Sequence, residues 1–319
     1  MTQLVKSDLE NINSLIEGYD TQIPLAVYGV AKTGKTLFGI QESFWLMKQT
    51  GKNALFFSTE IGIDRYVEKW EPVFREKFKV PDTLKFIIKE CPPQDGHLVL
   101  ILKEFGKHLK MEMSEHGKVD ISFLKRDDES PIEKLITKEN IGILVIDSLT
   151  KPFKSEEFAG VLKNLPSRAT GVTIWLNAIH TLTLKHKLLT FVTHHASLDP
   201  TKPYALAYMT GGSDINYDFK IQIYMEQSKS LQYSNMRWVH LVRFLNVKEW
   251  AKKTRLWVDN GGYKDVDEAF VQAEMKKRAE EKKEKEKLYK ESKQKKDVKK
   301  LEDSGKHDVS VKDEESDKT

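Results

Sequence analysis

An α/β fold, with a mostly parallel twisted sheet and helices on both of its faces, is what this sequence predicts, and three observations carry it. Short apolar runs alternate with helix-period segments from residue 24 to about residue 192. The first run leads into Gly29-Val30-Ala31-Lys32-Thr33-Gly34-Lys35-Thr36, a GxxxxGK(S/T) pattern between a predicted strand and a predicted helix. Beyond Gly212 the texture changes to period-2 alternation, which reads as antiparallel strands extending one edge.

The elements follow in order. Pro24 to Val30 is the first buried strand. Thr36 to Gln49 carries Leu37, Ile40, Phe44, Trp45 and Met47 at helical spacing, with Gly51 as terminator. Asn53 to Ser58 is a continuous apolar run, the pattern of a parallel strand covered on both faces. Helices are expected at Arg65–Lys79 and Asp95–His116, a short strand near Leu84–Ile88, and an apolar piece at Val119–Leu124. Ile141 to Ile146 gives the next strand, with Asp147 at its carboxyl end. A helix over about Ser167–Leu182 precedes a strand at Leu188–Val192 that ends in Thr193, His194 and His195. Phe219, Ile221 and Ile223, then Trp238, His240 and Val242, then Leu256 and Val258 mark the expected antiparallel edge.

Composition divides the chain. Residues 1–273 can bury a core, whereas 274–319 is almost all Lys, Glu, Asp and Ser, and is expected to be a charged helix that gives way to disorder. A net charge of +4 spread over 52 basic and 48 acidic residues permits contact with a polyanion without demanding it. The single cysteine, Cys91, excludes an intramolecular disulfide framework and a Cys-based zinc site. With no leader-like start and no apolar stretch of about 18 residues, a cytoplasmic protein is expected, neither exported nor membrane-spanning.

Each residue type in the glycine-rich loop has a physical task. Gly29 and Gly34 permit a backbone path on which successive N–H groups face phosphate oxygens, at the positive end of a helix. Lys35 would neutralise charge on the β and γ phosphates, and Thr36 would place its hydroxyl on Mg²⁺. Asp147, after Ile143-Leu144-Val145-Ile146, has the form of a carboxylate that holds the Mg²⁺ water shell. Glu60, just after the second strand, can orient or deprotonate an attacking water.

Taken together, Glu60, Asp147-Ser-Leu-Thr150 and Val192-Thr-His-His195 resemble the RecA superfamily, in particular the RadA and RadB recombinases and their archaeal paralogues. The stretch from Asp147 to Gly160 is similar to the segment leading into that family's first DNA-binding loop. Gly211-Gly212 resembles the pair closing the second loop, and Arg255 to Asp265 the final strand pair. The resemblance spans roughly residues 7 to 270 and implies a RecA-like P-loop NTPase core that binds ATP and Mg²⁺. His194-His195 stands where the family has a polar pair such as Asn-Gln. The resemblance assigns His195 a γ-phosphate sensing role, and capping of the strand end is the other reading of that pair. The loop after it is short, and only about two dozen residues precede the first strand, so an accessory paralogue is expected rather than the main strand-exchange enzyme.

The resemblance further implies that Lys151, Lys154, Lys163, Arg168 and Lys202 lie in or near loops facing single-stranded DNA, with Tyr204 and Tyr208 as stacking surfaces. Lys248, Lys252, Lys253 and Arg255, together with Trp250, are a second candidate for contact with phosphate or with a neighbouring subunit's nucleotide, and a polar hairpin is the other reading. The expected function is a slow, DNA-modulated ATPase in homologous recombination and DNA repair. Its expected partners are recombinase or paralogue subunits, in a homo- or hetero-oligomer. A KaiC-type regulatory ATPase with a protein partner and no nucleic acid is the alternative.

Overall fold

The apolar runs become strands because each finds partners on both faces. The structure, a computed structural model, describes residues 4–91, 97–113, 119–124, 129–149, 151–154, 165–197, 208–209, 218–228, 234–245, 247–248, 252–277, 279–281 and 283–284. The chain runs α1 (Glu10–Ile16), β1 (Leu25–Gly29), α2 (Lys35–Thr50), β2 (Asn53–Ser58), α3 (Ile63–Phe78), β3 (Phe86–Glu90), α4 (His97–Glu104), β4 (His108–Met113), β5 (Val119–Leu124), α5 (Pro131–Lys138) and β6 (Ile141–Asp147). A 3-10 turn (Lys151–Lys154) follows, then α6 (Leu165–His186), β7 (Leu189–Ser197), β8 (Tyr208–Met209), β9 (Ile221–Gln227), β10 (Met236–Phe244), β11 (Val247–Lys248), β12 (Lys253–Asp259) and β13 (Gly262–Asp265).

Among the described residues the main sheet follows the order β3-β2-β6-β7-β1-β9-β10-β12-β13, with β8 paired to β7 and β11 to β10. Neighbours are parallel from β3 across to β9. They are antiparallel from β9 to β13. Alternation along the parallel strands feeds two cores. Val27, Phe56, Val145 and Phe191 join one core with Phe38 and Phe44 of α2 and Val67 and Phe74 of α3. Tyr28, Phe57, Ile146 and Val192 join the other with Ile101 of α4, Ile136 of α5 and Trp175 of α6. Helices therefore cover both faces, as the continuous apolar strands require.

Several expectations change. The helix expected over 95–116 ends at Glu104, and His108–Met113 instead pairs with Val119–Leu124 in a separate antiparallel hairpin. β9 was expected within the antiparallel edge, but it adds to β1 in parallel and only then meets β10 antiparallel. β7 continues to Ser197, so His194 and His195 lie within a strand rather than at its end. α1, which the sequence reading did not include, packs Ile12 and Ile16 into the same core as Val239 and Leu256. Its first N–H groups are satisfied from far along the chain: the Asp265 carboxylate accepts from the Glu10 and Asn11 amides at 2.8 and 2.9 Å.

The chain divides into two compact units, Met1–Val266 and Asp267–Thr319. In the second, residues 268–277 are helical, and the segment expected to be disordered lies outside the described residues. No helix among the described residues is long and apolar enough to cross a membrane.

Candidate functional site

Parallel pairing brings the candidate residues to one end of the sheet. Gly29 lies opposite His195 in the β1–β7 register, and Ser58 opposite Asp147 in the β2–β6 register. The four strand ends thus form the crevice outside the carboxyl edge where open α/β sheets place their ligands. The chain leaves β1 at Gly29, loops through Val30, Ala31, Lys32 and Thr33, and re-enters helix at Lys35.

The loop is tightly enclosed by backbone and side chains from the far end of the sequence. A Cβ on Gly29 would lie 2.2 Å from the Met225 carbonyl oxygen, and one on Gly34 would lie 2.1 Å from the Tyr263 hydroxyl. Gly34 also holds φ near +93°, so its conformation and its surroundings both exclude a side chain. Lys35 is buried and donates from Nζ to the Gly29 and Val30 carbonyls at 2.9 and 3.0 Å, with Thr33 Oγ1 at 3.4 Å. The ammonium therefore lies inside the curl of the loop, where a phosphate would need a counter-charge.

Asp147 is held from both sides. Thr36 donates to Oδ2 at 2.6 Å, and Thr193 of β7 donates to Oδ1. Burial pushes the Asp147 carboxyl above its ordinary range, and the two hydroxyls oppose that push. A buried carboxylate beside a hydroxyl is a pair of hard oxygen donors, and a divalent cation would stabilise the charge that burial disfavours. These two residues would suit a hard divalent cation such as Mg²⁺. Thr59 ties β2 to β6 at this point. Its amide donates to the Asp147 carbonyl at 2.7 Å, while its hydroxyl donates to the Ser148 carbonyl at 2.8 Å and accepts from the Ser148 amide at 3.1 Å.

Glu60 follows directly, with its amide donating to the Ser58 hydroxyl at 3.1 Å. Its carboxylate Oε1 lies 3.6 Å from His195 Nε2. The His195 ring beside it holds the Glu60 carboxyl below the usual range against the effect of burial, helped by the charges of Lys151 and Lys35. Glu60 is therefore ionised at neutral pH. His194, one residue earlier, faces the other core, edge-on to Phe219 with ring centroids 5.4 Å apart. It is fully buried, and burial depresses its pKa to about 3, so its ring stays neutral. Strand alternation separates the two histidines, and only His195 joins the site.

A cavity of about 520 Å³ opens over these groups, lined by Lys35, Thr36, Glu60, Tyr66, Asp147 and Arg237 among others. Tyr66 and Trp70 of α3 supply an aromatic wall, and Val258 lines the cavity from the antiparallel edge. Thr59, Thr193, Arg237 and Tyr263 were not picked out by sequence reasoning as site residues. A Thr directly before a candidate acid at a strand end was the one local signal, at Thr59.

Of the expected DNA contacts, Lys151 alone has its side chain among the described residues. Lys151 is close enough to act on Glu60 electrostatically. The backbones of Lys154 and Arg168 are described, in the 3-10 turn and in α6, but not their side chains. Lys163, Lys202, Tyr204, Gly211, Gly212 and Trp250 lie outside the described residues, as do the side chains of Tyr208 and Lys248. Lys253 and Arg255 lie over the Trp238 ring, at 4.9 and 5.6 Å from its centroid.

The central sheet, the two helical layers and the antiparallel edge make this a RecA-like core. Among solved structures the chain is similar to the crystal structure of the RadB recombinase, with a TM-score of 0.53 and 16% identity over 83% of this chain and 100% of that one. No protein-family model and no curated protein sequence matches the chain.

Proposed function

We propose that this protein binds ATP with Mg²⁺ and hydrolyses it slowly, as a cytoplasmic DNA-binding accessory factor in homologous recombination and repair. The convergence of Lys35, Thr36, Asp147 and Glu60 on one cavity carries the ATPase part. Lys35 exchanges loop carbonyls for phosphate oxygens as its acceptors. Bound Mg²⁺ would neutralise charge across the β and γ phosphates. Thr36 and Asp147 present its protein oxygens, and Thr193 fixes the rotamer of the acid. Glu60, ionised and set beside His195, orients a water in line with the γ-phosphate and accepts its hydrogen bond.

The DNA part is supported by the resemblance of 147–160 to a DNA-binding segment and by the position of Lys151, which links that segment electrostatically to Glu60. The functional form is an oligomer, with itself or with related recombinase subunits. The charged tail serves as a tether or solubilising arm. Phosphate release by the full chain, with and without single-stranded DNA, tests this against Lys35→Ala. Release that is raised by DNA and abolished in the variant is expected, with DNA retention that needs ATP and weakens as salt rises. Equal release by both chains would refute the ATPase. Absence of DNA retention in every nucleotide state would move the reading to a KaiC-type regulatory ATPase.

A further inference from the structure

Lys35 is not alone as a buried cation at the cavity. Arg237, at the start of β10, is 9% exposed and lines the same space. Its Nε donates to the Thr33 carbonyl at 2.9 Å, and its Nη1 to the carbonyls of Ser234 and Met236 at 2.6 and 3.1 Å. Among the described residues no carboxylate pairs with it, and Nη2 has no protein partner. Carbonyls orient a guanidinium but carry no net charge, so the cation is desolvated without a counter-ion. Burial accordingly pulls its pKa down from the ordinary guanidinium value.

Holding the loop does not by itself call for a cation. The neutral Tyr263 hydroxyl already donates to the carbonyls of Thr33 and Gly34, at 3.2 and 3.0 Å. What Arg237 adds is a positive charge fixed to the loop and a planar fork with one nitrogen uncommitted, which matches phosphate oxygens in shape and charge. We propose that Arg237 is a second phosphate-binding cation of this site, donating from Nη2 to an oxygen of a bound nucleotide phosphate while Lys35 serves the inside of the loop. The inference rests on the nucleotide reading of the cavity and names a residue that the glycine-rich motif does not contain.

The test measures equilibrium binding of ATP, inorganic tripolyphosphate and adenosine to the full chain, to Arg237→Gln, to Arg237→Lys and to Tyr263→Phe, at several salt concentrations. Arg237→Gln is expected to weaken ATP and tripolyphosphate at least tenfold, to leave adenosine unchanged, and to flatten the salt dependence. Tyr263→Phe, which loosens the loop without altering charge, should keep the salt dependence of the intact chain. Equal losses in Arg237→Gln and Tyr263→Phe with the same salt dependence would overturn the proposal, leaving Arg237 a structural clasp. If Arg237→Gln does not fold, Arg237→Lys decides. It keeps the charge and cannot reproduce the fork, so retained tripolyphosphate binding with a lowered melting temperature supports the proposal. Joint loss of tripolyphosphate and adenosine binding in that variant overturns it. An intact chain that binds neither ATP nor tripolyphosphate would remove the nucleotide reading itself. Intact binding with an unaffected Arg237→Gln would remove only this inference.

Discussion

The parallel half of the sheet and its antiparallel edge contribute to the site in different ways. In the parallel half every strand runs the same way, so the carboxyl ends of β1, β2, β6 and β7 lie side by side and bring Lys35, Glu60, Asp147 and His195 together. The edge strands reverse direction and reach the site only where a strand begins or a hairpin turns, with Arg237 and Tyr263. The first group faces the cavity from the strand ends. The second grips the carbonyls of the loop, and of the two only Arg237 keeps a nitrogen for a phosphate under the inference above. Glu60→Gln is the sharpest test of that division. The side chain keeps its size and loses its charge, so turnover should fall by about 10²-fold or more while ATP binding persists. Phosphate release and equilibrium ATP binding, measured on the same preparation, check it. Turnover at the level of the intact chain would move the water-orienting group away from the parallel half.

The grip of the edge on the loop has its own test. Gly34→Ala places a methyl group against the Tyr263 hydroxyl and forces an L residue to φ near +93°. A cost above about 1 kcal/mol is expected from the backbone alone, with the collision added to it. Combining Gly34→Ala with Tyr263→Phe removes the oxygen but not the backbone strain, so the double variant should recover part of the loss. Urea denaturation of the four chains gives the coupling. Additive losses would mean that the loop and the edge hairpin do not bear on each other at Gly34.

Much of the parallel half was legible because its signals are local. A glycine-rich loop, an apolar strand ending in acid and a Glu after a strand can each be read within eight residues. The edge contribution was not, since Arg237 and Tyr263 lie 204 and 230 residues from the Thr33 carbonyl they share. Only the folded sheet brings those separations to hydrogen-bond distance. The misread helix at 95–116 has a different cause. Leu98 to Leu102 supports a helix, but Gly106 takes φ near +75°, and beyond it His108–Met113 alternates as a strand. The short α1 was overlooked because seven residues give a weak period, and it is held by apolar contacts and Asp265 from the other end of the core.

His194 and His195 reproduce the same contrast over one peptide unit, and they give the smallest expected effect. His195 lies 3.6 Å from Glu60, whereas among the described residues neither ring nitrogen of His194 has a hydrogen-bond partner. A buried polar ring without partners opposes folding, so His194→Leu, similar in size and apolar, should be neutral or slightly stabilising near pH 7.5. The sign on the acid side follows from linkage. An unfolded chain takes up a proton on this ring near pH 6.5, whereas the folded chain resists until about 3. The intact protein therefore loses stability as pH falls from about 6.5 toward 3, by up to about 1.4 kcal/mol per pH unit from this group. His194→Leu removes that contribution, so the gap between variant and intact chain should widen as pH falls from 7 to 5. Urea midpoints at matched pH measure it, and a gap that stays constant would place an interaction on His194 that favours its charged form. ATP turnover at neutral pH should be unaffected, because the ring faces the core opposite the site.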